Sequence, residues 1–247
     1  MAQGRVPKGS SHGGEFDRNR NPESTIDLSS SVLPDELVKK MPPGTGETWL
    51  KIAPLLPPSA YLSGGTALTV HLLHRVSRDL DIFLERPEDL RTLWIQLQAV
   101  GETRATQHDD STINCVLDGT KVQVLEAATQ KIVSPFVVVG GMRIASVDDI
   151  MATKLAVVAA RGELRDYFDI MKIEQDRSIM AETGLALAIE KYSPTQPDHY
   201  IKSIVRALGY LDDVEDDPAL PVSRKVIVDY WMKRQRSLMR HIAMFGG

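Results

Sequence analysis

Apolar positions recur first at helical spacing, then alternate, then return to helical spacing for the rest of the chain. The pattern predicts a helix from near Leu33 through Lys40. After a Pro-Gly turn it predicts a second at Thr48–Leu55, stopped by Pro57 and Pro58. The stretch "TALTVHLLHR" suits a helix, "DLDIFLE" a short strand, and "PEDLRTLWIQLQAVG" an amphipathic helix with proline near its start. Alternation governs "STINCVLDGTKVQVLEA", read as two strands joined at Asp118-Gly119, and "FVVVGGMRIA" adds a strand pair turning at Gly140-Gly141.

From Ser146 the pattern is helical throughout. "SVDD" has the Ser-x-x-acid relationship of a capping box, although Asp149 is a less typical partner than Glu. "IMATKLAVVAAR" follows, Gly162 ends or kinks that helix, and "ELRDYFDIMKIEQD" starts another. Further helices are predicted at Met180–Lys191, His199–Leu208 and Arg224–Phe245. This order predicts an α+β fold: a small mixed or antiparallel sheet supported by helices, then a helical C-terminal lobe. The repeated parallel crossovers of a Rossmann fold are absent. Residues 1–30 mix Gly, Pro, Ser, Asn and charge without apolar periodicity and are expected to form a flexible arm. The core is expected over 31–145, and a helical lobe that completes the active site over 146–247.

Composition narrows the class. A chain of 247 residues with 43% apolar content supports one substantial domain with an additional lobe. No apolar run approaches the roughly 18 residues of a membrane span, and the polar Met1–Ser11 start lacks a secretory segment, so the expected location is cytoplasmic. The single cysteine, Cys115, excludes an intramolecular disulfide and reads as a buried structural thiol. A net charge of -4 gives no general attraction for nucleic acid, which leaves only local basic surface for such contacts.

Candidate chemistry begins at "LSGGTALTVHLLHRVSRDLDIFL". On a strand Asp79 and Asp81 share one face while Leu80 and Ile82 enter the core. Two carboxylates so placed can hold a Mg2+ that also contacts nucleotide phosphates, or simply mark a strand edge. Gly64-Gly65 permits close backbone approach, and Thr66 offers a hydroxyl to a phosphate or serves as a helix cap. The spacing is not that of a Walker loop. Lys154, in an otherwise apolar helix, either neutralises polyphosphate or covers the core with its stem, and Arg161 lies two turns further along the same side. Arg165, Asp166 and Asp169 form another polar set.

Taken in order, "GGTAL", "RVSRDLDIF", "SVDDIMATKLAVVAAR" and "RDYFDI" resemble the nucleotidyltransferase toxins of bacterial abortive-infection systems, the AbiEii-like family. The resemblance implies a polymerase-beta-like nucleotidyltransferase core. It implies nucleotide binding by Gly64, Gly65, Thr66 and Lys154, Mg2+ coordination by Asp79 and Asp81, and an auxiliary catalytic carboxylate at Asp166. It further implies an NTP substrate, a tRNA acceptor and a cognate antitoxin. More distant relatives carry a third carboxylate on a neighbouring strand. Here the aligned position is Gln123, or Glu126 in a different register, and a one-residue slip would change the face.

The expected function is therefore Mg2+-dependent transfer of a nucleotide from an NTP to an acceptor, tRNA foremost, by a toxin. The alternatives are a catalytically silent RNA- or antitoxin-binding protein, or nucleotidylation of a small molecule or protein. In "SRKVIVDYWMKRQRSLMRH" basic residues dominate. Val226, Ile227, Tyr230 and Trp231 are expected to pack one side of that helix, and Lys233, Arg234 and Arg236 to contact RNA phosphates.

Overall fold

In a computed structural model that describes residues 32–245, the chain opens with α1 (Asp35–Val38) and α2 (Thr45–Ile52), the latter running into a 3-10 turn at Ala53–Leu55. The expected arm at 1–30 lies outside the described residues. There follow β1 (Ala60–Ser63), α3 (Gly64–Leu72), β2 (Asp79–Leu84), α4 (Asp89–Val100), β3 (Thr103–His108), β4 (Thr112–Leu117) and β5 (Thr120–Glu126). A hairpin of β6 (Val137–Val139) and β7 (Met142–Ile144) completes the sheet. Five helices succeed it: α5 (Val147–Arg161), α6 (Leu164–Arg177), α7 (Ala181–Tyr192), α8 (Pro197–Leu208) and α9 (Arg224–Phe245). The fold is thus α+β, a mixed sheet followed by a helical lobe.

Both expected hairpins form for the expected reason. Asp118 (φ 48°) and Gly119 (φ 81°) take consecutive left-handed conformations, as do Gly140 (φ 53°) and Gly141 (φ 79°), the turn geometry that matches strand twist. The sheet order is β3-β4-β5-β2-β1-β7-β6. Strand β2 runs antiparallel to β1 and parallel to β5, and β1 runs parallel to β7. The pattern did not reveal β1 or β3. β1 is buried along its whole length and so has no alternation, whereas β3 is almost wholly exposed and so has no apolar face.

Helix α3 packs on β1 and β2 and carries α5, around which α6, α7 and α8 gather. Trp49, Leu62, Leu80, Ile82 and Leu93 are among the fully enclosed core side chains. Cys115 is buried on β4, and burial pushes its thiol up to about 11, as befits a structural residue. Among the described residues no helix is long and apolar enough to cross a membrane.

The start of α5 is more than a cap. The Ser146 hydroxyl accepts from the Asp149 amide at 3.0 Å, as the sequence predicts. Asp149, however, turns away from the reciprocal bond. Its carboxylate accepts from the Val133 and Ser134 amides, from the Ser146 hydroxyl at 2.6 Å and from Lys191 Nζ at 2.9 Å. Lys191, on α7, also donates to the Lys131 carbonyl. One buried ion pair therefore ties α5, α7 and the segment after β5 together. Asp149→Ala leaves the Lys191 ammonium buried without its counter-ion and is expected to cost about 3–5 kcal/mol, read by urea unfolding. A loss below about 1 kcal/mol would mean that water reaches Lys191.

Candidate active site

Strand parity places Asp79, Asp81 and Phe83 of β2 on one face. The parallel register sets Lys121 beside Asp79, Gln123 beside Asp81 and Leu125 beside Phe83. All six line a single cleft of about 620 Å³. Its floor is polar at the N-terminal ends of β2 and β5 and apolar at their C-terminal ends. Gly64 and Gly65 form one wall, and Lys154, Arg161 and Asp166 belong to another.

The register settles the third-carboxylate question geometrically. Gln123 stands beside Asp81, while Glu126 pairs with Leu84, three residues further on and hence on the other face. No carboxylate of β5 joins the aspartate pair.

The two glycines make room for this protein's own side chains. Gly64 opens α3 at φ 69°, and a β-carbon there would overlap the Asp81 carboxylate. A β-carbon on Gly65 would lie 2.5 Å from Arg75 Nη2 and 3.0 Å from Ser77 Oγ. Thr66 departs from its expected position. It is neither the cap, which is Ser63, nor a group facing the cleft. Fully buried, it donates to the Asp79 carbonyl at 2.5 Å and lies 2.8 Å from Ser77 Oγ, which fixes the start of β2.

Among the described residues no cation forms an ion pair with Asp81. Burial, and then the neighbouring Asp79, push its carboxyl above the usual range. Asp79 is closer to solvent, with Lys121 Nζ 3.8 Å away. Two adjacent carboxylates with so little compensation form an oxygen-donor pair suited to a hard divalent cation. No cluster of three or more His, Cys, Asp or Glu suited to a metal occurs among the described residues. The pair alone matches the habit of Mg2+, which is held by one or two carboxylates together with substrate phosphates.

Opposite the pair, Lys154 is committed more heavily than its place in the sequence suggests. Its ammonium lies 2.7 Å from Asp166 Oδ1 and 2.9 Å from Asp169 Oδ2. Burial works against its charge, yet Asp169 and then Asp166 hold its pKa above the ordinary value. Asp166 is similarly engaged, because its second oxygen accepts from the Glu163 amide at 3.0 Å in a reciprocal capping box at the start of α6. An auxiliary proton-accepting role for Asp166 would first require release from both contacts.

Sequence reasoning did not single out Arg75, and it grouped Asp169 with Arg165 and Asp166 without giving it a role. Asp169 is fully enclosed and accepts two bonds from Arg75, at 2.6 and 2.7 Å, and one from His74 Nε2 at 2.8 Å. Burial alone would raise its pKa, but Lys154 and Arg75 hold it well below the usual carboxylate range. The signal available was the repeated Arg-Asp content of "HRVSRD" and "RDYFD"; the pairing itself spans 94 residues.

The basic run of α9 is arranged differently from expectation. Arg234 bonds to Glu174 Oε1 at 2.9 Å and to Glu182 Oε2 at 2.5 Å, and Tyr230 donates to Glu174 as well. Arg224 donates to the Val214 and Leu211 carbonyls. Lys233 and Arg236 are exposed, yet no α9 residue lines the cleft. Ile227 and Trp231 pack inward as predicted, Tyr230 is half-buried, and Val226 is 48% exposed.

The cleft lies in the part of the chain where a known family matches. The family described as nucleotidyl transferase AbiEii toxin, type IV toxin–antitoxin system, matches residues 51–227, well over half of the chain. The chain belongs to this family. It is accordingly a nucleotidyltransferase of the AbiEii toxin group. A relative named uncharacterized protein aq_aa25, from Aquifex aeolicus (strain VF5), is 28% identical over 160 residues, 64% of this chain and 76% of that protein. Among solved structures, the nucleotidyltransferase toxin MenT4 of Mycobacterium tuberculosis H37Rv aligns over 82% of this chain and 80% of its own, at 12% identity and a TM-score of 0.46. The antibiotic-resistance factor ANT(2'')-Ia aligns over 62% of this chain and 87% of its own, at 18% identity and a TM-score of 0.41.

Asp169 carries a prediction of its own. Its depressed pKa means that the folded state holds this proton less readily than the unfolded chain. Its contribution to stability is therefore present above the unfolded value, near 3.9, and is lost as pH falls through the folded one. Asp169→Asn should cost about 3–5 kcal/mol at neutral pH by leaving Arg75 and Lys154 under-compensated, and should flatten the decline in stability below about pH 4. Urea unfolding across pH checks both.

Proposed function

We propose that this AbiEii-family enzyme transfers a nucleotide from an NTP to a hydroxyl of an RNA acceptor, tRNA foremost, in a Mg2+-dependent reaction restrained by a cognate antitoxin. The observation that carries the proposal is the placement of Asp79 and Asp81 side by side beneath Gly64-Gly65, with the Lys154 ammonium across the same cleft.

Asp79 and Asp81 would hold the Mg2+, which when bound supplies charge neutralisation and Lewis acidity at the phosphates. Lys154 has three N–H donors. Asp166 and Asp169 engage two, and the third is left for a phosphate oxygen. Gly64 and the buried Gly65 bring the start of α3 to the cleft wall, where amide dipoles favour negative charge. As the acceptor oxygen bonds to the α-phosphorus and its proton passes to water, the bond from that phosphorus to the bridging oxygen breaks and pyrophosphate leaves. Its growing charge meets Lys154 and the basic rim. Gln123 can orient the attacking hydroxyl through its amide oxygen but cannot take its proton, so catalysis here rests on positioning and charge neutralisation.

Asp79→Asn and Asp81→Asn are each expected to reduce transfer by at least about a hundredfold while unfolding remains cooperative. The assay is incubation with Mg2+ and each labelled NTP, with and without total tRNA. Label on RNA supports the proposal. Label on protein or on a small acceptor redirects it to those acceptors, and full activity in both variants removes the aspartates from the mechanism.

For the acceptor, the cleft rim is the better-supported surface than α9. Arg78 and Arg161 are exposed and line the cleft, Arg161 with Glu163 3.7 Å away, whereas Arg234 is held closely by two glutamates. Changing Arg78 and Arg161 together to Gln should weaken RNA binding and shallow its salt dependence by about one unit per lost phosphate contact. The pair Lys233→Gln and Arg236→Gln should do less. The reverse ranking, measured at several salt concentrations, returns the acceptor to α9.

A further inference from the structure

The machinery described so far occupies only the polar part of the cleft. Past Asp81 and Gln123 the floor becomes Phe83 and Leu125, and this end is closed by Gln130, Thr153 and Tyr192. Here two buried polar groups lack partners among the described residues, the Tyr61 hydroxyl beside Phe83 and the Gln130 side-chain oxygen, and of the two only Gln130 lines the cleft. Gln130 Oε1 is shut off from solvent and accepts no hydrogen bond from the described residues, although the residue lines the cleft. Most buried side-chain acceptors are satisfied, and leaving one bare costs about 1–3 kcal/mol, so a donor bound in the cleft would stabilise a turn of the side-chain amide that brings this oxygen to it.

The surroundings define what that donor belongs to. The main chain at Gln130 is anchored, because its backbone N–H donates to the Ala127 carbonyl at 3.0 Å and the backbone N–H of Lys131 donates to the Lys191 carbonyl at 2.9 Å. The Tyr192 hydroxyl donates to Thr153 Oγ1 at 3.3 Å, and Thr153 in turn donates to the Asp149 carbonyl at 2.9 Å. Tyr192 therefore retains acceptor capacity of its own. Phe83 is braced from the side by its cross-strand neighbour Tyr61, whose ring centroid lies 5.6 Å away. The ensemble offers an apolar floor, a primary amide that can both accept and donate, and a phenol. Such a set suits a flat heterocycle with adjacent polar atoms on its edge. Distance agrees: two residues along a strand advance about 6.6 Å, the reach of a ribose between its phosphate and its base.

We propose that Phe83, Leu125, Gln130 and Tyr192 form a nucleobase subsite, in which the Gln130 amide reads the polar edge of the ring. The subsite rests on the nucleotidyl-transfer reading of the same cleft and adds base selection to it. The base belongs either to the donor NTP or to the terminal nucleotide of the acceptor, and the two are separable.

The experiment uses the full chain with Mg2+ and three kinds of probe. These are inorganic tripolyphosphate, the four NTPs, and short RNA oligonucleotides that differ only in their 3′ base. Gln130→Ala should leave tripolyphosphate affinity unchanged and reduce the preference among bases by about tenfold. Loss of discrimination among the NTPs assigns the subsite to the donor. Loss of discrimination among the oligonucleotides, in binding or in transfer KM, assigns it to the acceptor. Gln130→Glu keeps the shape but removes the amide donor, so it should shift whichever preference exists towards bases that present an amino group. If both folded variants keep wild-type discrimination on both arms, or if the wild type discriminates on neither while binding tripolyphosphate, the subsite is overturned and nucleotidyl transfer stands. Wild-type protein that binds neither tripolyphosphate nor any NTP overturns both.

Discussion

The buried carboxylate of Asp169 is the constraint on which the cleft depends. It draws together Arg75 and His74, which lie between α3 and β2, with Lys154 on α5, from its own place on α6. Ions taken out of water are tolerated only when their charge and their hydrogen bonds are both answered. With Asp166 included, two carboxylates face two cations, so the cluster is close to neutral. Arg75 also sits against Gly65, and the Ser77 and Thr66 hydroxyls meet two residues further on and fix the start of β2. The position of Asp79 and Asp81 is thus inherited from a salt-bridge cluster that touches neither of them.

This arrangement reconciles two tasks for Lys154 that would otherwise conflict. A lysine on a mostly apolar helix must either let its charge escape to solvent or be held by counter-ions. Here Asp166 and Asp169 keep it charged and fix its direction while its head still borders the cleft. The aspartate pair on the floor has the opposite electrostatic character. Asp81 is destabilised as an anion by burial and by Asp79, a condition that a divalent cation and its phosphates would relieve. A compensated cation on one side and two weakly compensated anions on the floor would complement a polyphosphate and its cation.

Where structure is made by neighbours in sequence, it was legible. The hairpin at Asp118-Gly119, the α5 start at Ser146 and the full span of α9 follow from local turn, cap and period chemistry. So did the shared face of Asp79 and Asp81, because strand parity alone sets it. β1 and β3 were hidden because neither has one buried and one exposed face. Thr66 was misplaced for a related reason: its partners, Ser77 and the Asp79 carbonyl, come from beyond the following loop. Sequence could offer Gln123 and Glu126 as rivals but not choose between them, since the choice depends on register with a strand some forty residues away.

The basic run in α9 shows how a one-dimensional pattern misleads about charge. Residue for residue it is the most cationic segment of the helical lobe, yet a side chain creates a positive surface only if its charge is not already answered. Arg234 meets Glu174 and Glu182, and Lys225 meets Asp229. The cleft rim reads as ordinary mixed charge in the sequence. Folding gathers Arg75, Arg78, Lys121, Lys154, Arg161 and Arg165 around one concavity, but Asp169, Asp79, Asp166 and Glu163 answer all of them except Arg78, which has no ion pair among the described residues. In a concave, poorly solvated space the same number of charges produces a stronger field than on a convex helix surface. A chain with net charge -4 can therefore still offer a phosphate group a local site at Arg78, where an unanswered cation borders the cleft.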